Sequence, residues 1–368
     1  MAAKNNTTEL QALFDQAPAN NDLFDRFKAL QEQQPSLRRR DQATALNVSE
    51  AELIDSKCDL LSLRLNTNFA EQINQMPSLG YVMTLTRNDH CVHEKKGVYQ
   101  NVSVNSPHMG LVISDDRKID LRIMLSRWAY GFAVQEWTAK GLRYSLQYFD
   151  ATGSAIEKIF LQSEEKIDAY TDFVKQFLAD DQTAPLSLVS QLEKTEHIAD
   201  EKIDVATLSQ DWQGMRDVHQ LFGILKRHNI SREQAFHAVG EPWALPVNPE
   251  KLEHFLTSAA EQETPIMCFV GNSGIIQIHS GAVSNIKIVG DWLNVLDPEF
   301  NLHLLHKNVA SAWLVRKPTV DGNITSLELF SAESEQIAQF NGVRQEGNTE
   351  NLQWRALAES LLTEETLA

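Results

Sequence analysis

The chain repeats itself. An offset of 181 residues lays Ser145 on Ser326 and, without a gap, Leu121 on Leu302, Ala129 on Ala310, Val134 on Val315, Gly141 on Gly322, Phe149 on Phe330 and Ile156 on Ile337. Upstream the offset becomes 184, pairing Asn88 with Asn272, Gly97 with Gly281 and Asn101 with Asn285. Such a chain has to fold as two similar domains, each about half its length and each with its own core. Positions that match serve the shared fold, so specific chemistry is sought where the copies differ. Two differences stand out: Arg122 falls opposite His303, and His93 opposite Gln277.

At 368 residues with 42% hydrophobic residues, the chain has enough apolar surface for two cores of ordinary size. The N-terminal MAAKNNTTELQALFDQ lacks the basic patch and apolar run of a signal peptide, and no stretch reaches the roughly 18 apolar residues of a membrane span. A soluble, cytoplasmic protein without stable membrane insertion is expected. Cys58, Cys91 and Cys268 are odd in number and far apart, so reduced thiols are expected rather than a disulfide framework or a zinc knuckle. A net charge of −17 repels polyanions and argues against nucleic acid as a partner. Any basic cluster is then a local exception.

Residues 8 to 75 read as helical, and short β-rich runs follow from Gly80: YVMTLTR, CVHE, MGLVI, IDLRIML, YSLQYF and IEKIFL, interrupted by a helical SRWAYGFAV. The second copy repeats the order, with helices over 209 to 261, then IMCFVG, IIQIH, NLHLLH, a helical KNVASAWLV, TSLELF and QIAQF. Strands in series behind grouped helices predict an α+β fold: a tandem duplication of a domain whose large antiparallel sheet is preceded and flanked by helices. The boundaries expected are an N-terminal repeat over 1–180, a polar linker over 181–208 and a C-terminal repeat over 209–368.

No GxGxxG, GxxxxGK[ST] or GxSxG is present, and HEKKG at 93 to 97 lacks the second histidine of a zinc protease. His90 and His93, three apart on a strand, point to opposite faces and make a poor metal pair. The densest signal is DVHQLF at 217 to 222. Trp212, Met215, Val218, Phe222 and Leu225 recur at helical spacing, with His219 half-buried beside the stripe. From spacing alone a core-edge histidine is the plain reading. Ser231 and Gln234 form a capping box with Arg232 in the first turn, where a helix N-terminus and a guanidinium together suit a carboxylate; a solvated arginine is the alternative. On IDLRIML, Leu121, Ile123 and Leu125 share one face and Arg122 and Met124 the other.

DVHQLF…LKRHNISREQAF, IMCFVGNSGIIQI, NLHLLH, AWLVRKPTVDGNITSLELF and QIAQFNGVRQEG resemble the C-terminal half of the haemin-degrading or haemin-transport proteins of Gram-negative haem-uptake systems. SEAEL, TRNDHCVHEKKGVYQN and IDLRIMLSRWA resemble the N-terminal half. The resemblance runs from about residue 25 to 360. It implies paired α+β halves, a cytoplasmic location, and haem bound in a cleft facing the C-terminal half. It places the axial iron ligand on His219 and an arginine on the iron's other side at Arg122. Propionate and edge contacts fall on Arg232, Lys317 and Arg344, and aromatic packing on Phe269. Two positions depart from the family pattern: Met124 stands where Phe is common, and Asn341 where Tyr is common. Met124 keeps an apolar, polarizable surface, whereas Asn341 is too short to stack.

These residue types suit haem on chemical grounds as well, since the iron accepts an imidazole nitrogen and the two carboxylates require cations. A guanidinium stays protonated and ligates iron poorly, so Arg122 would act through a ligand in the sixth position. The resemblance implies haem degradation with iron release, either in a haem-oxygenase-like reaction with dioxygen or by a reductant-dependent ring opening, driven by an external electron donor, NAD(P)H or a reductase. The other reading is a haem carrier that hands its cargo on unaltered. The partners implied are haem, a haem importer on the cytoplasmic side and a reductase, with the chain a monomer or homodimer. His93 is a candidate for a second haem site, against an exposed strand histidine beside Glu94.

Overall fold

A computed structural model describes residues 2–15, 21–104, 106–344 and 347–362. The chain divides into two compact units. Unit 1 holds residues 1–87, 94–192 and 272–277; unit 2 holds 88–93, 193–271 and 278–368. The division at 192/193 falls inside the expected linker, but each unit also includes six residues from the other repeat, which composition does not foretell.

The first repeat contains α1 (Ala2–Asp15), α2 (Asn21–Gln33), α3 (Arg39–Leu46), α4 (Glu50–Asp55), β1 (Leu61–Leu65) and α5 (Phe69–Gln75). There follow β2 (Tyr81–Arg87), β3 (Cys91–Val98), β4 (Val102–Ser103), β5 (Met109–Ile113), β6 (Asp120–Met124), β7 (Tyr130–Thr138), β8 (Gly141–Phe149), β9 (Ala155–Leu161) and α6 (Ile167–Phe177). The second contains α7 (Val205–Gln213), α8 (Gln220–His228), α9 (Arg232–Val239), β10 (Ala244–Val247) and α10 (Leu252–Glu261). Then come β11 (Ile266–Gly271), β12 (Ile275–Gly281), β13 (Ile286–Val289), β14 (Trp292–Leu296), β15 (Phe300–Leu305), β16 (Ser311–Thr319), β17 (Gly322–Phe330), β18 (Gln336–Gly342) and α11 (Leu352–Glu359).

Within unit 1 the strands run β1-β7-β8-β9-β2, and within unit 2 β10-β16-β17-β18-β11, with antiparallel neighbours. Two expected helices are strands instead. Only Leu125–Arg127 and His306–Asn308 form a single 3-10 turn each, and YGFAV and SAWLV enter the sheets as β7 and β16. Their aromatic and β-branched residues fit a pleated surface better than a helix. The short strands β1 and β10 were likewise hidden inside stretches read as helical.

The residues matched by the repeat serve geometry. Gly141 and Gly322 take φ of +110° and +102° at the two-residue turns of β7–β8 and β16–β17, a region that penalises any Cβ. Asn88 accepts bonds from the His90 and Cys91 amides and donates to the Gly271 and Ile337 carbonyls. Asn272 accepts from Gly274 and Ile275 and donates to Arg87 and Ile156. Each asparagine thus satisfies a turn and a neighbouring strand at once.

One face of each sheet packs on helices. In unit 1, Leu10 and Phe14 of α1 and Tyr170, Phe173, Val174 and Phe177 of α6 cover Leu63, Leu146 and Ile159. In unit 2, Phe255 of α10 and Trp354 of α11 cover Leu314, Leu327 and Phe340. Each such buried side chain is worth about 1.5–3 kcal/mol. The opposite face of the unit 2 sheet receives α7, α8 and α9, whose Leu208, Trp212 and Phe236 pack on Trp313, Val315 and Phe330. These helices carry the candidate site. Cys58, Cys91 and Cys268 are buried and free of disulfides.

Candidate functional site

His219 does not lie half-buried along a continuous helix. The helical stripe breaks after Gln213: α7 ends there, α8 starts at Gln220, and residues 214–219 form a connecting loop. Trp212 and Met215 are buried as expected, but Phe222 is 76% exposed. The break is locally encoded. Gln220 Oε1 accepts the Arg216 and Asp217 amides, Asp217 Oδ1 accepts the His219 amide at 2.7 Å, and the Gln220 amide donates to the Asp217 carbonyl. Side chains that satisfy backbone donors in this way compete with helix continuation. Two further bonds fasten the segment to the sheet: Val320 N donates to the Arg216 carbonyl, and Trp212 Nε1 to the Arg316 carbonyl.

His219 therefore stands at the N-terminal end of α8 with its side chain 89% exposed. Its Nδ1 lies 2.6 Å from Asp217 Oδ1, which leaves Nε2 as the nitrogen not engaged by this carboxylate. The exposed Phe222, one helical turn on, and the exposed Val320 give this end of the unit an apolar surface. The Asp217 carboxyl is held below its ordinary range, first by the His219 amide and then by the imidazole, with Arg344 adding to the effect. Arg344 also forms a long ion pair with Asp321 at 3.9 Å.

On the sheet face behind this loop, the other expected residues of unit 2 come together. Arg232 Nε and Nη2 donate to Glu328, and Nη2 also donates to Gln339 Oε1 at 2.9 Å. Lys317 Nζ reaches Glu328 Oε1 at 2.5 Å and Ser326 Oγ at 2.9 Å. Gln336 donates to Glu328, and Gln339 donates to Asn341. Phe269 is half-buried opposite Gln339 in register, so it shares this face. Asn341, expected at the edge of a ligand, is nearly buried and donates to the Thr325 carbonyl.

The capping box of Ser231 and Gln234 is present, but the carboxylate beside it belongs to the protein. Glu328 is completely buried. Burial alone would push its carboxyl up, yet Arg232 and Lys317 outweigh this and hold it at about 2. Burial pulls the Lys317 ammonium down to about 8, with Arg232 adding to the fall and Glu328 opposing it. Lys317 was expected at a propionate edge. With 3% exposure and its ammonium committed to Glu328 and Ser326, it supports the local charge from beneath. Arg232 is 27% exposed and Nη1 makes none of its bonds to Glu328 or Gln339, so these two partners leave one of its nitrogens uncommitted.

Arg122 and Met124 belong to unit 1. Leu121, Ile123 and Leu125 are buried, and Arg122 and Met124 occupy the other face of β6, as alternation predicts. Arg122 Nη1 pairs with the fully buried Asp120, which also takes Arg117 at 3.2 Å. Directly across the sheet, Leu111 and Ile276 flank Arg122 and Met109 faces Met124. Met109 and Leu111 are 52% and 36% exposed, so the arginine sits in an apolar surround. His93 is not an exposed strand residue. It is 0% exposed in unit 2, on the inward face of β3, with its ring 5.0 Å from that of Phe300. Among the described residues no three His, Cys, Asp or Glu side chains gather to hold a metal ion, and no helix is long and apolar enough to cross a membrane.

Sequence reasoning passed over Asp217, Glu328 and Asp120. Glu328 did leave a signal: SLELF alternates apolar residues with Ser326 and Glu328, placing a charge on a strand face that elsewhere packs on helices. The pattern of the Haemin-degrading HemS.ChuX domain matches residues 47–177 and 229–361. The hemin transport protein HmuS of Yersinia pestis is 37% identical over 353 residues, covering 95% of this chain and all of that one. The heme-binding protein PhuS of Pseudomonas aeruginosa, solved in its holo form, superposes with a TM-score of 0.89 at 41% identity, covering 93% of this chain and 99% of its own. ChuS, an E. coli heme oxygenase, gives 0.81 at 38% identity over 92% and 99%. With both repeats matched and the relatives aligned almost end to end, the chain belongs to the Haemin-degrading HemS.ChuX domain family.

Proposed function

We propose that the protein binds haem against unit 2 and degrades it, releasing iron with electrons from an external donor. The observation that carries this reading is His219: an exposed imidazole on a fastened loop, its Nδ1 on a carboxylate and its Nε2 directed outward. Iron in haem takes such a nitrogen, and Phe222 and Phe269 offer apolar contact to the porphyrin plate. Arg232 and Arg344 supply cations for the propionates, and Lys317 adds to the field through Glu328. Relatives named for transport, haem binding and haem oxygenase activity support haem as the ligand.

A carrier reading draws on a different observation. Glu328 and Asp321 already neutralise part of the charge of Arg232, Lys317 and Arg344, which suits a cargo that must leave again. Titration with haemin, followed by a reductant under air and then without oxygen, separates the two. Loss of the Soret band with iron release is expected for the enzyme; a persistent haem spectrum under both conditions makes the protein a carrier. No spectral change on adding haemin would overturn both.

A further inference from the structure

We infer that Asp217 is a positioning residue that fixes the donor nitrogen of His219 and gives the imidazole anionic character toward a bound iron. The inference rests on the haem reading above. Asp217 Oδ1 lies 2.6 Å from His219 Nδ1 and accepts the His219 backbone amide at 2.7 Å, so one carboxylate oxygen fixes both the chain and the ring. Carboxylate is an acceptor only; it therefore selects the tautomer with hydrogen on Nδ1 and the lone pair on Nε2. The backbone that carries this carboxylate is itself held in place, because the Asp217 amide donates to Gln220 Oε1 and its carbonyl accepts the Gln220 amide. No counterpart exists in the other repeat: the 182-residue spacing that aligns Ser49 with Ser231 and Asn47 with Asn229 puts Pro35 at the position of Asp217 and Leu37 at that of His219. The pair is thus present in one copy only.

A carboxylate on the far nitrogen raises the basicity of a metal-bound imidazole, and loss of such a partner commonly costs 10–100-fold in metal affinity. More electron density on Nε2 stabilises ferric over ferrous iron.

The test uses the full chain loaded with haemin and three variants. D217N retains an oxygen acceptor for the His219 amide and ring but removes the charge, so a purely structural role predicts wild-type behaviour. Charge donation predicts a lower iron–imidazole stretching frequency in the resonance Raman spectrum of the ferrous complex. It also predicts a higher midpoint potential, by the equivalent of about tenfold in the ferric-to-ferrous affinity ratio, or about 59 mV for one electron. D217A should show the same signs with a further loss of haemin affinity of about 10–100-fold, and D217E should recover part of the potential. Wild-type frequency and potential in both D217N and D217A overturn the inference. An H219A control tells this failure from that of the haem reading: if the iron–imidazole band survives in H219A, His219 is not the ligand and both fall.

Discussion

Glu50 and Arg232 occupy the same first-turn position of their capped helices, α4 and α9, and carry opposite charge. In unit 1, Glu50 takes Lys158 at 3.0 Å and Arg87 from the sheet. In unit 2, Arg232 takes Glu328 and Gln339, the latter being the repeat partner of Lys158. The inversion decides what each copy offers to a ligand. An acidic group at that position repels a dianion, whereas Arg232 keeps one guanidinium nitrogen for it. Together with Leu37 in the place of His219, this supports the second copy as the one that takes the haem of the proposed function.

Replacing His219 by Ala should lower haemin affinity by about 100-fold, close to 3 kcal/mol, and move the Soret maximum. The side chain is 89% exposed, so the thermal midpoint of the free protein should hardly change, in keeping with surface substitutions that stay within about 0.5 kcal/mol. Absorbance titration and a thermal melt on the same preparation check both halves. An unchanged Soret maximum would remove His219 as the ligand.

Replacing Arg122 by Ala should reduce turnover more than affinity. The fold of unit 1 should survive, because the buried Asp120 keeps Arg117 as a partner and the flanking Leu111 and Ile276 are untouched. Single-turnover haem loss is compared with the binding constant. Equal fractional losses would make Arg122 a binding residue.

Much of this was readable in the sequence. The duplication, the antiparallel α+β class, the capping box at Ser231 and the facing of Arg122 follow from periodicity and local bonding rules, which act over a few residues. What failed depended on partners far along the chain. Lys317 reads as a cation for a ligand until Glu328, eleven positions on and across the β16–β17 hairpin, takes its ammonium. His93 reads as exposed until Phe300 closes over it. Phe222 fits a helical stripe until side chains at 217 and 220 break the helix. Composition offers a single cut between 181 and 208, yet cutting the chain there would separate residues 88–93 from the unit in which Cys91 joins the core and the His90 carbonyl accepts the Leu305 amide.

The Lys317–Glu328 pair yields a prediction for unit 2. Removing one partner of a buried pair costs roughly 3–5 kcal/mol; Arg232 still faces Glu328 in Lys317→Met, so a loss of about 3 kcal/mol is expected in urea unfolding. The Glu328 carboxyl falls from 4.5 to about 2 on folding, so its ionised form stabilises the fold. That contribution, ~3 kcal/mol, is complete above pH 4.5 and disappears as the pH falls toward 2. Glu328→Gln should show a flatter acid limb than the wild type. An acid limb of unchanged slope would remove Glu328 as its source.

Glu157 in unit 1 should act with the opposite sign. It is completely buried, and its Oε1 accepts from Tyr99 and Thr84, each at 2.7 Å, while Oε2 has no partner. Burial outweighs those two bonds and raises the carboxyl from 4.5 to about 7. Between those values the unfolded chain ionises freely while the folded one retains its proton, so stability falls as pH rises through that window and levels off above it. The penalty is ~3 kcal/mol by the same linkage. Glu157→Gln keeps an oxygen for Tyr99 and Thr84 and cannot ionise, so its stability should be nearly flat from pH 4.5 to 8 and should exceed that of the wild type at the upper end. Urea midpoints across that range decide the matter: parallel curves for the two proteins would mean that Glu157 ionises in the folded unit as easily as in water.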